Sequence, residues 1–490
     1  MLRLSKIGRF GNSEQFTPAA GAYGLMPFRF ERLSDEHVLV VTESGQYAVI
    51  GARELNAFVA KKLPSSNSIY RKLRTIGALV DDSTTVNARL EILRLRSKYQ
   101  DLPSFTGLHM MVVTLRCNQS CPYCQVSRQS ENKSLFDMSV DNADRALDHI
   151  FRSPNPYIKI EFQGGESLLN FDLIKYVVGQ AQAMNRFAGK NLAFVAATNM
   201  TYITDEIIEF FGENRIFFST SLDGPADLHN TNRPYKGNDA YRVVCDNIRI
   251  VQQRLGKDSV SALMTTTAGS LPRHKEIVDK YVEMGFDGIF LRPLSPYGFA
   301  IKTKSYYQYS AEEWFDFYAA TLEYIIQLNL CGVRFIEFYT SILLQKIVCL
   351  QNTGFVNLQS PAGNGTMGVI YDYNGNVYGS DEGRMMAQMQ DERFLLGHVK
   401  DPYEHLFLGN KLVELIDETI SQSLPQCSDC AFLPWCGTDP DYHWSTQKDV
   451  VGHKAFSGFC HKNTQIFKHL IALLETDPAR ANVLNSWLPC

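Results

Sequence analysis

Between about residue 106 and residue 300 the chain alternates short apolar, β-branched runs with longer amphipathic ones. Nothing else in the sequence constrains the fold as much. Strands are expected at Leu108–Leu115, Ile158–Gln163, Ala193–Ala197, Ile216–Leu222, Val260–Thr266 and Gly288–Leu294. Between them the 3.6-residue period predicts helices at Val140–Arg152, Phe171–Phe187, Asp205–Phe211, Ala240–Leu255 and His274–Met284, the first capped by Ser139. Strand–helix repetition of this kind gives a parallel sheet, buried on both faces and joined by right-handed crossovers. Whether the sheet is open or closed into a barrel, its functional residues belong at the carboxyl ends of the strands.

The flanks read differently. Before residue 105, His37–Thr42 and Gln46–Ile50 form a strand pair around Ser44-Gly45. Helical patterns follow near Arg53–Lys62 and Ser66–Thr75, which suits a small winged-helix-like module. After residue 300, Ala311–Leu328 and Phe335–Leu350 look helical. Gly368–Asp372 and Asn376–Tyr378 then form a hairpin on an Asn-Gly turn. Beyond residue 424 the expectation is an irregular, cysteine-rich tail. A length of 490 residues suits two to four domains of ordinary soluble composition, with 45% hydrophobic and 20% charged residues. The net charge of −4 argues against a nucleic-acid coat, and no apolar run reaches the roughly 18 residues of a membrane span. Met1–Gln15 lacks the apolar core of a signal peptide, so a cytoplasmic location is expected.

Against that background eleven cysteines are unusual, and seven of them form two groups. Cys245, Cys331 and Cys349 lie in apolar surroundings and read as inert core residues. Cys117, Cys121 and Cys124 are spaced C-x3-C-x2-C directly after the first expected strand. Three thiolates on one loop can hold three irons of a cubane cluster and leave the fourth iron open to a ligand. Zinc is the competing reading, but the loop itself supplies no fourth ligand, and His109 sits back on the preceding strand. The second group, Cys427, Cys430 and Cys436 with the distant Cys460, suits either zinc or a cubane cluster by spacing alone.

The first loop, with the aromatic Tyr123, resembles the signature of the radical S-adenosylmethionine (SAM) enzymes. Gln163-Gly164-Gly165-Glu166, at the end of the second strand, resembles the segment that meets the amino group of SAM in that family. Its glycines would admit a ligand close to the backbone, and Glu166 would accept from the ammonium. Asn199, Ser219, Ser221 and Arg233 fall where the family contacts ribose and carboxylate, and Leu291 where it packs the adenine. The resemblance implies a partial (β/α)6 barrel that cleaves SAM reductively and abstracts hydrogen from a substrate. The second cysteine group resembles the SPASM domain of peptide-modifying maturases, in reduced form. Ser380 and Pro440 stand where that domain has cysteines, and the partner near Ser360–Gly363 is missing as well. The implied cofactors are SAM and two 4Fe–4S clusters, one on Cys117, Cys121 and Cys124 and one auxiliary on Cys427, Cys430, Cys436 and Cys460.

These readings divide the chain into a leader-recognition-like module (1–105), the barrel (106–300), a helical bridge (301–354) and a SPASM-like domain (355–490). Pro27-Phe-Arg-Phe-Glu-Arg-Leu33 and Ser380-Asp-Glu-Gly-Arg-Met385 resemble the maturase of the His-Xaa-Ser peptide system. A ribosomally made precursor peptide, its leader held by the N-terminal module, is therefore the expected partner, with flavodoxin or ferredoxin as electron donor. Asp381 and Glu382 are candidates to accept a proton, and Cys490 is a candidate hydrogen donor. Two other readings compete: a protein dehydrogenase similar to anaerobic sulfatase maturases, and a zinc-stabilised binding protein without activity.

Overall fold

All six expected strands form, because alternate residues along them are apolar enough to be buried under the flanking helices. The computed structural model describes residues 23–81, 86–100, 102–237 and 239–489. The N-terminal reading at Met1–Gln15 and the candidate Cys490 lie outside them. Two compact units result. One joins the described residues up to 100 with Gln345–Asn352 and Gln426–Trp435. The other comprises Leu102–Leu344, Thr353–Pro425 and the chain from Cys436 onward.

In the larger unit the barrel strands are Leu108–Thr114, Tyr157–Gly164, Asn191–Ala197, Ile216–Ser221, Val260–Thr265 and Leu291–Arg292, here called strands one to six. They lie side by side in chain order, each parallel to the next. On strand two, Ile158, Ile160 and Phe162 are buried, while Lys159, Glu161 and Gln163 point to the other face. The crossover helices run as the pattern required. Val140–Arg152 is capped by Ser139, whose hydroxyl accepts from the Asn142 N–H. Ala143, Leu147 and Ile150 are its buried stripe.

Two expectations need correction. The run Gly288–Leu294 is broken at Phe290. Gly288–Ile289 pairs with Ile336–Glu337, and only Leu291–Arg292 continues the barrel. The fully buried Glu337 carboxylate accepts from the Leu291 N–H and so replaces a ladder partner at the break. The tail after 424 is not irregular either. It contains helices at Pro440–Gln447, Gly458–Thr476 and Pro478–Asn485. Phe459, Asn463, Ile466, Phe467, Leu470 and Ile471 are buried along the second of these, a helical period that the cysteine spacing had obscured.

The hairpin of Gly368–Tyr371 and Asn376–Tyr378 extends the barrel sheet. Gly368–Tyr371 is parallel to strand one, and Leu395–His398 completes nine strands.

The smaller unit is an antiparallel sheet of Phe28–Arg32, His37–Thr42 and Tyr47–Gly51, with helices Ala52–Val59 and Ser68–Thr75 packed on Val38, Val40, Ala48 and Ile50. A third helix, Val86–Tyr99, had no clear period. Its Glu91 is buried and takes both the N–H and the hydroxyl of Ser44 at 2.7 Å. Gln426–Trp435 belongs to this unit. Trp435 Nε1 donates to the Gly45 carbonyl, its ring meets Tyr47 edge-on, and Arg29 and Lys98 donate to the Ser428 and Pro434 carbonyls. Among the described residues no helix is long and apolar enough to cross a membrane.

Candidate active site

The chain leaves strand one at Thr114 and turns directly into the loop of Cys117, Cys121 and Cys124, all half-buried and outside any disulfide. That loop is stitched to the end of strand two. Gly165 N–H donates to the Thr114 carbonyl and Glu166 N–H to the Arg116 carbonyl. A Cβ on Gly164 would lie 1.9 Å from the Thr114 oxygen, and one on Gly165 2.4 Å from the Arg116 oxygen. Here the glycines admit a neighbouring backbone. Arg116 is itself fixed by Asp137 at 2.6 Å and by the Leu169 carbonyl.

Glu166 is fully buried with both oxygens engaged. One accepts from Leu168 N–H and the Thr198 hydroxyl, the other from Asn199 N–H at 2.7 Å. Burial pushes its carboxyl up to about 7 against the pull of those donors. The carboxylate therefore ties strands two and three together. Asn199 carries the tie to the cysteines. Its amide donates to Asn118 Oδ1 and lies 3.8 Å from Cys117 Sγ.

A second buried group lies under the same loop. Tyr123 donates to Asp223 at 2.6 Å, and Arg233 pairs with Asp223 through Nε at 3.0 Å while its guanidinium lies over the Tyr123 ring. Asp223 is fully buried, and the Arg233 charge holds it ionised against burial. The Arg233 guanidinium is thus paired within the chain. Asp223 was missed; its place at the carboxyl end of strand four was the available signal.

Ser219 and Ser221 alternate with buried Phe218 and Thr220, so they share the opposite face of strand four. Gln163 donates to Glu161, and Leu291 is buried on strand six. Inside the barrel lies a cavity of about 970 Å³. Met110, Glu161, Leu291 and Arg292 line it from the strands, and Asp381, Glu382, Asp439 and Lys462 from the chain beyond the barrel.

The donor set of the cysteine loop fits a cubane cluster. Burial, with the neighbouring acids and thiols adding to it, pushes the Cys117 and Cys121 thiols up to about 12, so a cationic metal centre is what would draw them into the thiolate form. Gln119 Nε2 is buried in the loop beside them and meets no acceptor of the chain. His109, by contrast, is spent on the Thr106 carbonyl and Tyr371 and held neutral by burial.

Of the second group, Cys427 and Cys430 form a turn in the smaller unit, whereas Cys436 and Cys460 belong to the larger one. Among the described residues no three His, Cys, Asp or Glu side chains are gathered around a single-ion site. Of the remaining cysteines among the described residues, only Cys245 is core. Cys331 is exposed because helix Ala311–Leu330 ends just before it, and Cys349 is disulfide-bonded.

Residues 111–280 match the Radical SAM superfamily. The chain therefore carries a radical SAM domain over these residues and is an enzyme, and SAM with a 4Fe–4S cluster are the cofactors that the domain supports; the non-catalytic zinc reading falls away. It is 23% identical to the serine-type anaerobic sulfatase-maturating enzyme of Bacteroides thetaiotaomicron over 76% of this chain and 92% of that one. A 36% identical match to an uncharacterised protein of Methanocaldococcus jannaschii covers 26% of this chain and 42% of that protein. Among solved structures, native anSMEcpe with bound AdoMet and Kp18Cys peptide superposes with a TM-score of 0.64 at 19% identity, over 78% of this chain and 99% of that one. Streptococcus suis SuiB bound to precursor peptide SuiA gives 0.52 at 13% identity, over 87% and 97%. At these identities the two structures speak for the fold.

Proposed function

We propose that this enzyme modifies a ribosomally made peptide, one segment of which enters the barrel cavity. The observation that carries this reading is the cavity itself. At about 970 Å³ it is far larger than a single side chain, and it is walled by Phe290, Tyr297 and Trp314 as well as by the acids Asp381 and Glu382. Peptide or precursor peptide is bound in the two related structures named above. When bound, SAM and its cluster supply a carbon radical that takes hydrogen from the substrate. The chain's own residues then orient the peptide, exclude water and accept the proton lost from it, and the remaining electron would pass to the auxiliary cluster held by Cys427, Cys430, Cys436 and Cys460. Asp381 is the proton acceptor, steadied by Arg384, whose Nε lies 3.4 Å from its carboxylate.

Tyr123, Gln163, Gly164, Gly165, Glu166, Asn199, Ser219, Ser221, Arg233 and Leu291 would surround SAM. Gly164 and Gly165 would serve through backbone, and Glu166 and Arg233 as braces. Cys427, Cys430, Cys436 and Cys460 would hold one auxiliary 4Fe–4S cluster. The edge strand Phe28–Arg32, with Phe30 exposed, would take the leader as an added strand. An external flavodoxin or ferredoxin would deliver electrons.

The similarity to sulfatase-maturating enzymes over most of both chains favours one further reading, oxidation of a Ser or Cys in a protein substrate. Anaerobic co-expression with candidate precursor peptides, followed by mass spectrometry, separates the two. A mass loss of two hydrogens from a linked peptide, with 5′-deoxyadenosine formed, supports the first. Formylglycine in a sulfatase-derived peptide supports the second.

A further inference from the structure

The cysteine loop holds one side chain whose chemistry the three thiols do not explain. Gln119 lies between Cys117 and Cys121 and is 2% exposed. Its amide reaches the second thiol, with Oε1 3.8 Å from Cys121 Sγ, while Nε2 is buried and meets no acceptor of the chain. Its backbone N–H donates to Cys117 Sγ at 3.5 Å. A buried amide donor without an acceptor is a standing cost to the fold, and it calls for a partner that the chain does not supply.

The position of that amide is fixed. Gln119 pairs with Tyr235 in an isolated antiparallel bridge, and the next residue, Ser120, donates its N–H to the Pro234 carbonyl at 2.9 Å. Pro234 directly follows Arg233, whose guanidinium is locked on Asp223. The brace under Tyr123 therefore also sets where the Gln119 side chain stands.

We propose that Gln119 donates a hydrogen bond to the Cys121 thiolate of the SAM-binding 4Fe–4S cluster and thereby raises the reduction potential of that cluster. The inference rests on the radical SAM domain and is independent of the peptide reading. In the thiol form, Cys121 donates its S–H to the amide oxygen. As a cluster ligand the same sulfur is an anion with no proton to give, and it repels an amide oxygen. A half-turn of the amide exchanges two ends of nearly equal size and brings the unspent Nε2–H₂ to the sulfur. Cys117 keeps its own donors, the Gln119 backbone N–H and the Asn199 amide at 3.8 Å. Reduction adds one electron to the cluster and its sulfurs. An N–H dipole aimed at a ligating sulfur stabilises that reduced state more than the oxidised one. No bond of the chain is made or broken; only the one-electron equilibrium with the external donor moves.

The test is potentiometry of the anaerobically purified, iron-reconstituted full chain, followed by electron paramagnetic resonance of the reduced state. The signal of the SAM-binding cluster is the one that changes when SAM is added. Gln119→Leu and Gln119→Met are close to glutamine in size and carry no N–H. Each should keep that signal at wild-type intensity and shift the reduction equilibrium at least about threefold towards the oxidised state. That is a midpoint about 30 mV lower, at 59 mV per tenfold for one electron. A merely structural role would change cluster content or melting and leave the potential of the retained cluster where it was. A midpoint equal to or above the wild-type value, in either variant that keeps the signal, overturns the proposal. Loss of the signal in both variants overturns it too, because a donor that tunes a cluster is not needed to hold it. No peptide enters the measurement, so its failure and failure of the proposed function are read separately.

Discussion

The loop at Cys117–Cys124 and the corner at Ser380–Asp441 both follow strands of one sheet, and both match places where the family pattern has cysteines. In the loop the thiols are kept, and the surrounding chain is committed to holding them still. Glu166 and Asn199 tie strands two and three to it, while Tyr123, Asp223 and Arg233 brace it from below. In the corner the thiols are replaced, and hydrogen-bonded acids take the space. The difference teaches how one sheet can end in a braced thiol loop at one place and in a corner of hydrogen-bonded acids at another. Ser is small enough to cap a helix, Pro suits a first helical turn, and the polarity falls to Asp439 and Asp441.

The largest expected effect lies in the loop. Cys117→Ala, Cys121→Ala or Cys124→Ala should each reduce 5′-deoxyadenosine formation by the reduced, iron-reconstituted protein to background, measured by chromatography. Substantial product from any of them would break the assignment of the loop.

Next comes the brace. Asp223→Ala strands the buried Arg233 charge and should cost about 3–5 kcal/mol of stability by denaturant unfolding. Adding Arg233→Met should recover much of that loss, and a fixed loss in the double variant would deny the pairing. Glu166→Gln keeps the shape but presents an amide N–H₂ to a group that is already a donor. It should cost about 1–3 kcal/mol in the same assay.

The corner makes the opposite kind of prediction, read as pH dependence. Burial and neighbouring charges raise Asp441 and Glu382 above their unfolded values. The Glu382 contribution to stability is therefore complete below about pH 4.3 and is lost as pH rises through about 7, and that of Asp441 is complete below about pH 3.9 and is likewise lost as pH rises. Asp441→Asn should flatten that fall in thermal melts across the same range. The smallest effect is expected from putting thiols back: Ser380→Cys with Pro440→Cys should add no iron, because the upstream partner near Ser360–Gly363 is also absent.

How much of this was legible in the sequence follows from what each signal reports. The barrel was, since periods of 2 and 3.6 are set by side-chain direction alone, and the strand and helix bounds held to within a few residues. The cysteine loop was legible because its ligands are close in sequence. The broken sixth strand was not, because Glu337, which breaks it, lies some 45 residues away from Leu291. The same holds for Asp441. Its partners Ser380 and Asn364 are 61 and 77 residues distant, and no local pattern announces such contacts. The partners of Glu166 and Arg233 within the chain were not legible, since a sequence does not say which buried groups a charge meets. The C-terminal helices were legible and overlooked: Phe459 to Ile471 carries a plain helical period under the cysteines.

The proposed function requires two cubane clusters, one on Cys117, Cys121 and Cys124 and one on Cys427, Cys430, Cys436 and Cys460. Iron and sulfide per chain, measured on anaerobically purified protein and on Cys430→Ala, test it most directly. Two cubane clusters predict about eight irons in the wild type and about four in the variant. About twelve irons in the wild type, or stoichiometric zinc, would contradict it.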